Sequence, residues 1–309
     1  MPLTAAAAVV LALALDLAVG EPRNAFHPVA WFGRLVARVD REWDHPRIAG
    51  AVAALVLPLA AAVVGGVVVG AGVAVHPIAG VILAGLALFV TTSLRSLLGT
   101  ADRVIGLTED DLPAAREALL ALAGRDAGNL SAGQVRSAAT ESAAENLADG
   151  LVAPLGAFAV LVVGASLASR PALALPLAAA GAAWVKGVNT LDSMLGYQHK
   201  AVGGPSARLD DLVMWLPARA SAVLIAVAAL APGSLVRARQ WARAPPSPNS
   251  GWPMATLAVA VDARLQKPGV YDLDPDAALP SVADARRGVR IVGVAGLLAY
   301  VLAGVIAWF

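Results

Sequence analysis

The sequence predicts an all-α protein, a polytopic transmembrane helical bundle. Three observations carry that expectation. Hydrophobic residues make up 58% of the 309 positions, and the mean hydropathy is +0.71. Charged residues fall to 15%, where a soluble domain carries about 25%. The shortfall is concentrated in runs of Ala, Val, Leu and Gly, many long enough to cross the ~30 Å hydrocarbon layer as helices.

The apolar runs are 3–19, 49–75, 77–94, 151–168, 172–189 and 291–309. The first has no basic residue before it and is interrupted by Asp16, so it reads as a retained span rather than a secretory signal. The connections at His76-Pro77 and Ser169-Arg170-Pro171 are short and predict helical hairpins. A weaker run covers 213–231, but Pro217 and Arg219 leave only Ala220 to Ala231 uninterrupted. That is below the ~17 residues of a span and predicts a re-entrant or interfacial helix.

The chain thus reads as a single integral membrane domain over 1–309, with polar loops at 20–48, 95–150, 190–212 and 232–290. These loops hold most of the Lys and Arg, including Arg34, Arg38, Arg41, Arg103, Arg116, Arg237 and Arg243. Basic loops stay cytoplasmic, which sets the long loops inside and the N-terminus outside. Within 95–150, Asp110 or Asp111 is the expected cap of a helix starting near Pro113 and ending near Leu122. A second helix runs from Ser131 through Asp149 into the next span. In 232–290, the breaker-rich run 244–253 excludes regular structure, and a short helix follows from Met254 to Leu265.

The absence of cysteine excludes disulfides, thiolate metal sites and Cys nucleophiles. A formal net charge of +1 gives no bulk basic field for nucleic acid. No recurring period marks a repeat array.

Five polar constellations flank the apolar runs. In the first, Glu141, Glu145 and Asp149 are spaced i, i+4, i+8 and line one helix face, beside Asn146. Like charges there repel unless a cation intervenes, and Mg²⁺ takes oxygen ligands of this kind while bridging to phosphates. A solvated helix face is the plain alternative, weakened because the cluster runs straight into a span where carboxylates are costly. In the second, Lys186, Asn189, Asp192 and Ser193 close an apolar run. Lys is a point-charge partner for phosphate, although a snorkelling lysine with a capping Asn or Asp explains part of the group. In the third, Gly203-Gly204 precedes Arg208, Asp210 and Asp211, with Arg219 beyond. A Gly-Gly turn allows close approach of backbone to an anion, and the arginines suit bidentate recognition; no Walker motif is present. The fourth is Ser247 to Pro253, with Asn249 and Ser250, otherwise a surface turn. The fifth is Gly20-Glu21-Pro22 with Asn24 and His27-Pro28-Val29, where a lone His is more often capping than catalytic.

In this order the segments resemble the adenosylcobinamide-phosphate synthase family, the CobD/CbiB membrane enzymes of cobalamin biosynthesis. The resemblance rests on Leu15-Asp16 with Gly20-Glu21-Pro22, His27-Pro28-Val29, Gly124-Arg125-Asp126, Glu145 to Gly150, Asn189 to Met194, Ser206 to Asp211 with Pro217-Ala218-Arg219, and Ser247 to Pro253. It covers nearly the whole chain. Family members often have Asn where Met214 stands and a Gly-Gly pair near Gln266-Lys267. The resemblance implies an ATP-dependent ligase of the cytoplasmic membrane with its active site facing the cytoplasm. Such an enzyme joins a carboxylate of adenosylcobyric acid to an amino-alcohol phosphate, giving adenosylcobinamide phosphate. It implies ATP and Mg²⁺ as cofactors. The implied partners are the corrinoid, the amino-alcohol phosphate, membrane lipid and other late membrane enzymes of the pathway.

On that reading Glu145, Asp149, Asp192 and Asp210 are the catalytic carboxylates, and Glu141, Glu145, Asp149, Asp192 and Asp211 surround the metal. No sequence feature separates base from metal ligand among them. Lys186, Arg208 and Arg219 bind phosphate. Asn146, Asn189 and Asn249 hold corrin amides, and Ser193, Ser250 and His27 complete the binding set. The rival reading is an ion-coupled carrier, which the intramembrane Asp16 and the broken run at Pro217 suit. A third is a non-catalytic membrane relative of the same superfamily.

Overall fold

The computed structural model describes residues 2–124, 127–197 and 200–308. Arg125 and Asp126, part of one motif above, lie outside them. In chain order the first helices are α1 (Pro2–Ala18), α2 (Pro28–Val36), α3 (Pro46–Val75) and α4 (Pro77–Thr91). Next come α5 (Arg95–Asp110), α6 (Leu112–Leu119) and α7 (Ala132–Leu147), then a π-helical turn at Ala148–Val152 and α8 (Ala153–Leu167). They are followed by α9 (Ala174–Leu195), α10 (Gly204–Val213), α11 (Trp215–Ala228), α12 (Gly233–Ala238) and α13 (Gly251–Val261). Two short strands, β1 (Leu265–Lys267) and β2 (Tyr271–Leu273), pair antiparallel before α14 (Val282–Trp308).

Among the described residues, five helical stretches are long and apolar enough to cross a membrane: Pro46–Val75, Pro77–Asp110, Ala132–Leu167, Pro171–Leu195 and Val282–Trp308. The all-α integral membrane reading therefore holds, apart from the hairpin, whose two three-residue strands gave no alternation long enough to detect. At 17 residues, α1 is shorter than the ~20 of a full span. The weak run 213–231 becomes the 14-residue α11. It reaches span length only if α10 and α11 are taken as one bent pair.

Local signals account for the helix ends. Asp111 caps α6 by accepting from Ala114 N at 3.0 Å. Ser131 and Gln134 form a reciprocal capping box on α7. His76 is at once the C-cap of α3 and the N-cap of α4, with Nδ1 accepting from Ile78 N, so the predicted hairpin turns on one residue. Loop 190–212 differs from expectation. Helix α9 continues to Leu195, so Asn189, Asp192 and Ser193 are helical, and α10 fills most of the rest. The helix expected from Met254 begins three residues earlier, at Gly251, inside the breaker-rich run.

The chain divides into two compact units. The first comprises residues 1–93, 149–214 and 299–309. Lipid tails are as apolar as Leu, so helices in a membrane associate by close packing rather than by expelling water. Small residues do this here. A Cβ on Gly65 or Gly66 of α3 would meet Ala179, Ala180, Ala183 and Pro176 of α9 at 3.3 Å. Gly187 of α9 lies against Pro58 of α3, and Gly85 of α4 lies against Ala8 and Leu11 of α1. Helix α3 also exposes Val52, Leu55, Leu59, Val63 and Val67, an apolar surface suited to lipid.

The second unit comprises residues 94–148 and 215–298. Its buried centre includes Leu97, Val104, Ile105, Leu119, Val135, Leu147, Leu257 and Val292. Polar ties fix its connections. Arg116 donates twice to Leu130 O, at 2.8 and 2.6 Å. Arg136 donates to Pro280 O at 2.7 Å and to Thr108 Oγ1 at 3.1 Å.

The Gly-Gly pair of the third constellation has a packing explanation. A Cβ on Gly203 would stand 1.6 Å from Leu195 O, while one on Gly204 would meet nothing within 4 Å. Gly203 is therefore set by the close approach of backbone to backbone rather than by an anion nest. We expect Gly203→Ala to lower stability by roughly 1–3 kcal/mol through overpacking, and Gly204→Ala to be close to neutral, read by thermal unfolding in detergent. Equal effects at the two positions would contradict this.

Candidate functional site

In the first unit, the segment after α1, the start of α2, the end of α4 and the last turns of α9 bound a cavity of about 310 Å³. Its lining includes Glu21, Asn24, His27, Thr91, Thr92, Ser93, Lys186 and Thr190. The sequence places them there in a simple way. Helix α1 ends at Ala18, and Gly20 follows with φ +74°, a conformation that glycine adopts without strain. The chain then turns, with exposed Glu21 and Asn24 at the rim. His27 starts α2 by accepting from Val29 N at Nδ1, 3.2 Å away. Thr91, Thr92 and Ser93 end α4, and Lys186 and Thr190 are one turn apart on α9.

The cavity is divided in hydrogen-bonding character. Because Nδ1 of His27 accepts, its proton sits on Nε2, which is a donor. Burial holds the His27 pKa below its ordinary value; the Glu21 charge opposes that shift and the Lys186 charge adds to it. Lys186 supplies a second donor, and the charges of Glu21 and Asp149 both act on it. The threonine hydroxyls are different. Thr91 donates to Ala87 O and Leu88 O, Thr92 to Leu88 O, and Thr190 to Lys186 O. The Thr91 and Thr190 protons are committed to their own helices, leaving lone pairs for any ligand, while Thr92 also shares a hydrogen bond with Tyr300 OH.

Neutral His27 caps α2, so acid should loosen that helix. The folded-state pKa lies below the ordinary 6.5. The unfolded chain therefore takes up its proton first as pH falls. The stabilisation is complete above 6.5 and declines as pH drops through the folded value. The protection factor of the Val29 amide should fall on acidification, and His27→Asn, which keeps a capping acceptor but does not titrate, should remove that dependence.

Of the other sequence-predicted residues in this unit, Asn189 is buried on α9, Asp192 is half-buried and Ser193 exposed. Asp210 and Asp211 are half-buried on α10, and Arg208 is exposed. Asp211 is close enough to Asp192 for the two charges to interact. Asp149 sits in the π-helical turn, a local widening that recurs at functional sites. Asp16 is fully buried on α1 and its charge is felt at Tyr300, whose hydroxyl is 2.9 Å from Thr92 Oγ1.

Glu141, Glu145, Asn146, Arg219, Asn249 and Ser250 belong to the second unit. Glu141 has a structural partner set of its own. Glu141 is fully buried, accepting from Ser137 Oγ and from Tyr271 OH, each at 2.6 Å. Ser137 Oγ in turn accepts from Gln266 N at 2.7 Å. Glu141 thus anchors both strands of the hairpin, a long-range task that helical spacing does not reveal. Glu145 is half-buried, and Asn146 donates to Ser142 O within its own helix. Arg219 donates to Trp215 O and to buried Asn249 Oδ1 at 2.9 Å, with its guanidinium 4.3 Å from the Trp215 ring and 5.3 Å from the Trp252 ring. Ser250 precedes α13 without a side-chain cap bond.

Among the described residues, no three His, Cys, Asp or Glu are grouped so as to hold a metal ion. Mg²⁺ commonly uses one or two carboxylates together with substrate phosphates, and the neighbouring Asp192 and Asp211 fit that smaller requirement. Glu21, Asn24, the Thr91-Thr92-Ser93 run and Thr190 were not among the predicted site residues. The signal for the run was present, as three consecutive hydroxyls closing an apolar span.

Comparison with known proteins agrees with this arrangement of motifs. The family model described as CobD/Cbib protein matches residues 9–296. The probable cobalamin biosynthesis protein CobD of Methanothrix thermoacetophila is 34% identical, over 96% of this chain and 95% of its own. The cobalamin biosynthesis protein CobD of Rhodobacter capsulatus is 37% identical over 93% and 92%, and the cobalamin biosynthesis protein CbiB of Salmonella choleraesuis is 35% identical over 94% of each. No solved structure matches the chain. With a family model spanning nearly its whole length and relatives of this identity, the chain belongs to the CobD/CbiB family.

Proposed function

We propose that this protein acts in cobalamin biosynthesis as an ATP-dependent amide ligase, joining a carboxylate of adenosylcobyric acid to an amino-alcohol phosphate. The observation that carries the reading is the cavity around Lys186 and His27, which offers a cation and a neutral N–H donor to an anionic group and sets a carboxylate, Glu21, at its rim. A cavity of about 310 Å³ is at the low end of ligand pockets. It suits a small phosphate ester and excludes a corrin ring, which has to approach from outside.

Bound ATP and Mg²⁺ would supply the phosphoryl group that activates the carboxylate and the charge that neutralises its phosphate oxygens. Asp192 and Asp211 are the carboxylates for that metal. Lys186 and the Nε2–H of His27 orient the anionic ester. Asp149, whose charge acts on Lys186, keeps that ammonium in place. Arg219, Asn249 and Glu145 are retained as candidate substrate contacts of the second unit. The basic loops support a cytoplasmic position for the cavity.

The test is ligation by the full chain in detergent, with adenosylcobyric acid, 1-aminopropan-2-ol O-phosphate, ATP and Mg²⁺, followed by mass spectrometry of the amide. Product that requires both ATP and Mg²⁺ is the expected result. Corrinoid binding without product under every acceptor tried would overturn the ligase reading. Asp192→Asn should reduce turnover by roughly a hundredfold, the scale of one lost electrostatic contact in a transition state. Full activity in that variant would remove Asp192 from the metal assignment.

A further inference from the structure

Helix α11 is apolar on every side, with Arg219 its one charged residue. A helix of that kind belongs in a core or a membrane. One face meets the first condition. Ala218, Ala222, Ile225 and Ala226 are buried, and the helix packs against α13. The other face has no cover among the described residues. Leu216, Val223 and Val227 are exposed, and at 3.6 residues per turn they fall within about 40° of one another. Leu230 follows them, 89% exposed and with φ +53°. Glycine is the usual residue in that left-handed conformation at a helix end, and a leucine there is strained. In water this side chain would add strain and gain no packing.

The helix is too short to cross a bilayer. Its 14 residues rise about 21 Å, against ~30 Å of hydrocarbon. A crossing extended through α10 would draw in Arg208, Asp210 and Asp211, each costly there. Basic residues also flank both ends: Lys200 and Arg208 precede α11, and Arg237, Arg239 and Arg243 follow it. Basic loops stay on one side of the membrane. Charge then names the surroundings. No Asp or Glu occurs between residues 212 and 261, where the four charged residues are all arginines. Arg239, Arg243 and Trp215 are exposed. Exposed aliphatic residues with arginine and tryptophan beside them suit the lipid headgroup layer. The second unit is held near that layer, because residues 94–110, 132–148 and 282–298 of three membrane-length stretches belong to it.

We propose that α11 is an interfacial helix. It lies along the bilayer surface, with Leu216, Val223, Val227 and Leu230 among the upper acyl chains and Arg239 and Arg243 on the phosphates of anionic phospholipid. The inference is independent of the ligase reading, and ligation is not its readout.

The test measures depth on the full chain in nanodiscs, one set of phosphatidylcholine and one of equal parts phosphatidylcholine and phosphatidylglycerol. The sequence has no cysteine, so Leu216→Cys, Val223→Cys, Val227→Cys and Val236→Cys each take a single nitroxide. Relative accessibility to oxygen and to a water-soluble nickel chelate reads the depth. The first three labels are expected at one shallow depth, each several-fold more accessible to oxygen than to nickel. Val236 is exposed on α12 between the stripe and the arginines. Its label should move deeper when phosphatidylglycerol is present, and Arg239→Gln with Arg243→Gln should erase that response. Each arginine should shift the docked-to-free ratio about fivefold.

Depths that increase steadily from the first label to the third would make α11 part of a crossing or re-entrant segment. Ready access of nickel to all three would place the face in water. Short distances between nitroxides in discs holding two copies would give the face to a second chain. Each result overturns the proposal, as does a Val236→Cys label indifferent to phosphatidylglycerol or to loss of both arginines. All four labels replace exposed side chains, and the three on α11 are independent, so the result is readable where one variant fails to fold.

Discussion

Lys186→Met is expected to abolish ligation, lowering turnover by roughly 10²–10³-fold, while leaving the protein as stable as before or slightly more so. The two halves of this prediction come from one physical fact. An ammonium held among apolar helices is costly to desolvate, and replacing it with an apolar side chain of similar length is often neutral or stabilising. Its retention therefore calls for a ligand, here an anion, whose charge it meets in a site screened from bulk water. A snorkelling lysine, the plain alternative, would serve only to place its charge at the interface. In that case Lys186→Met would alter insertion or stability and spare turnover. Parallel measurement of ligation rate and thermal unfolding in detergent separates the two, and loss of stability with normal ligation would count against the site.

The second large effect is structural. Glu141→Ala should destabilise the second unit by roughly 1–3 kcal/mol, because it removes the main acceptor of buried Ser137 Oγ and of half-buried Tyr271 OH. The loss is directional. Ser137 also receives Gln266 N, and Tyr271 lies on β2. The hairpin is therefore the element released. Trypsin cleavage at Arg264 should accelerate in parallel with the fall in unfolding temperature. Glu141→Gln, which keeps an acceptor, should show a smaller version of both changes. If Glu141→Ala instead removed ligation with the hairpin still protected, the residue would be facing substrate or metal, as its helical spacing first implied. Arg264 itself is held by Asp272 in an ion pair across the hairpin, at 2.8 Å from Nε to Oδ1, so cleavage there reports local opening rather than ordinary exposure.

The sequence alone determined the class of protein and the position of most spans, because hydrophobic length is a property of consecutive residues and needs no partner to be read. It also placed a cap at Asp110 or Asp111 and a helix start at Ser131, from signals that act within one helical turn. The family was legible for a similar reason, since ordered local motifs survive without any knowledge of packing. Only the tertiary structure decided which polar groups share a cavity. Glu21, His27, Thr91 and Lys186 are distant along the chain and meet because glycines and alanines let α3, α4 and α9 approach closely. It likewise decided that Glu141 anchors a hairpin and that Gly203 relieves a backbone contact. A carboxylate offers the same lone pairs to a metal, a hydroxyl or an amide. What it binds is set by the groups that long-range packing brings within about 3 Å of it, and neither composition nor spacing encodes that neighbourhood.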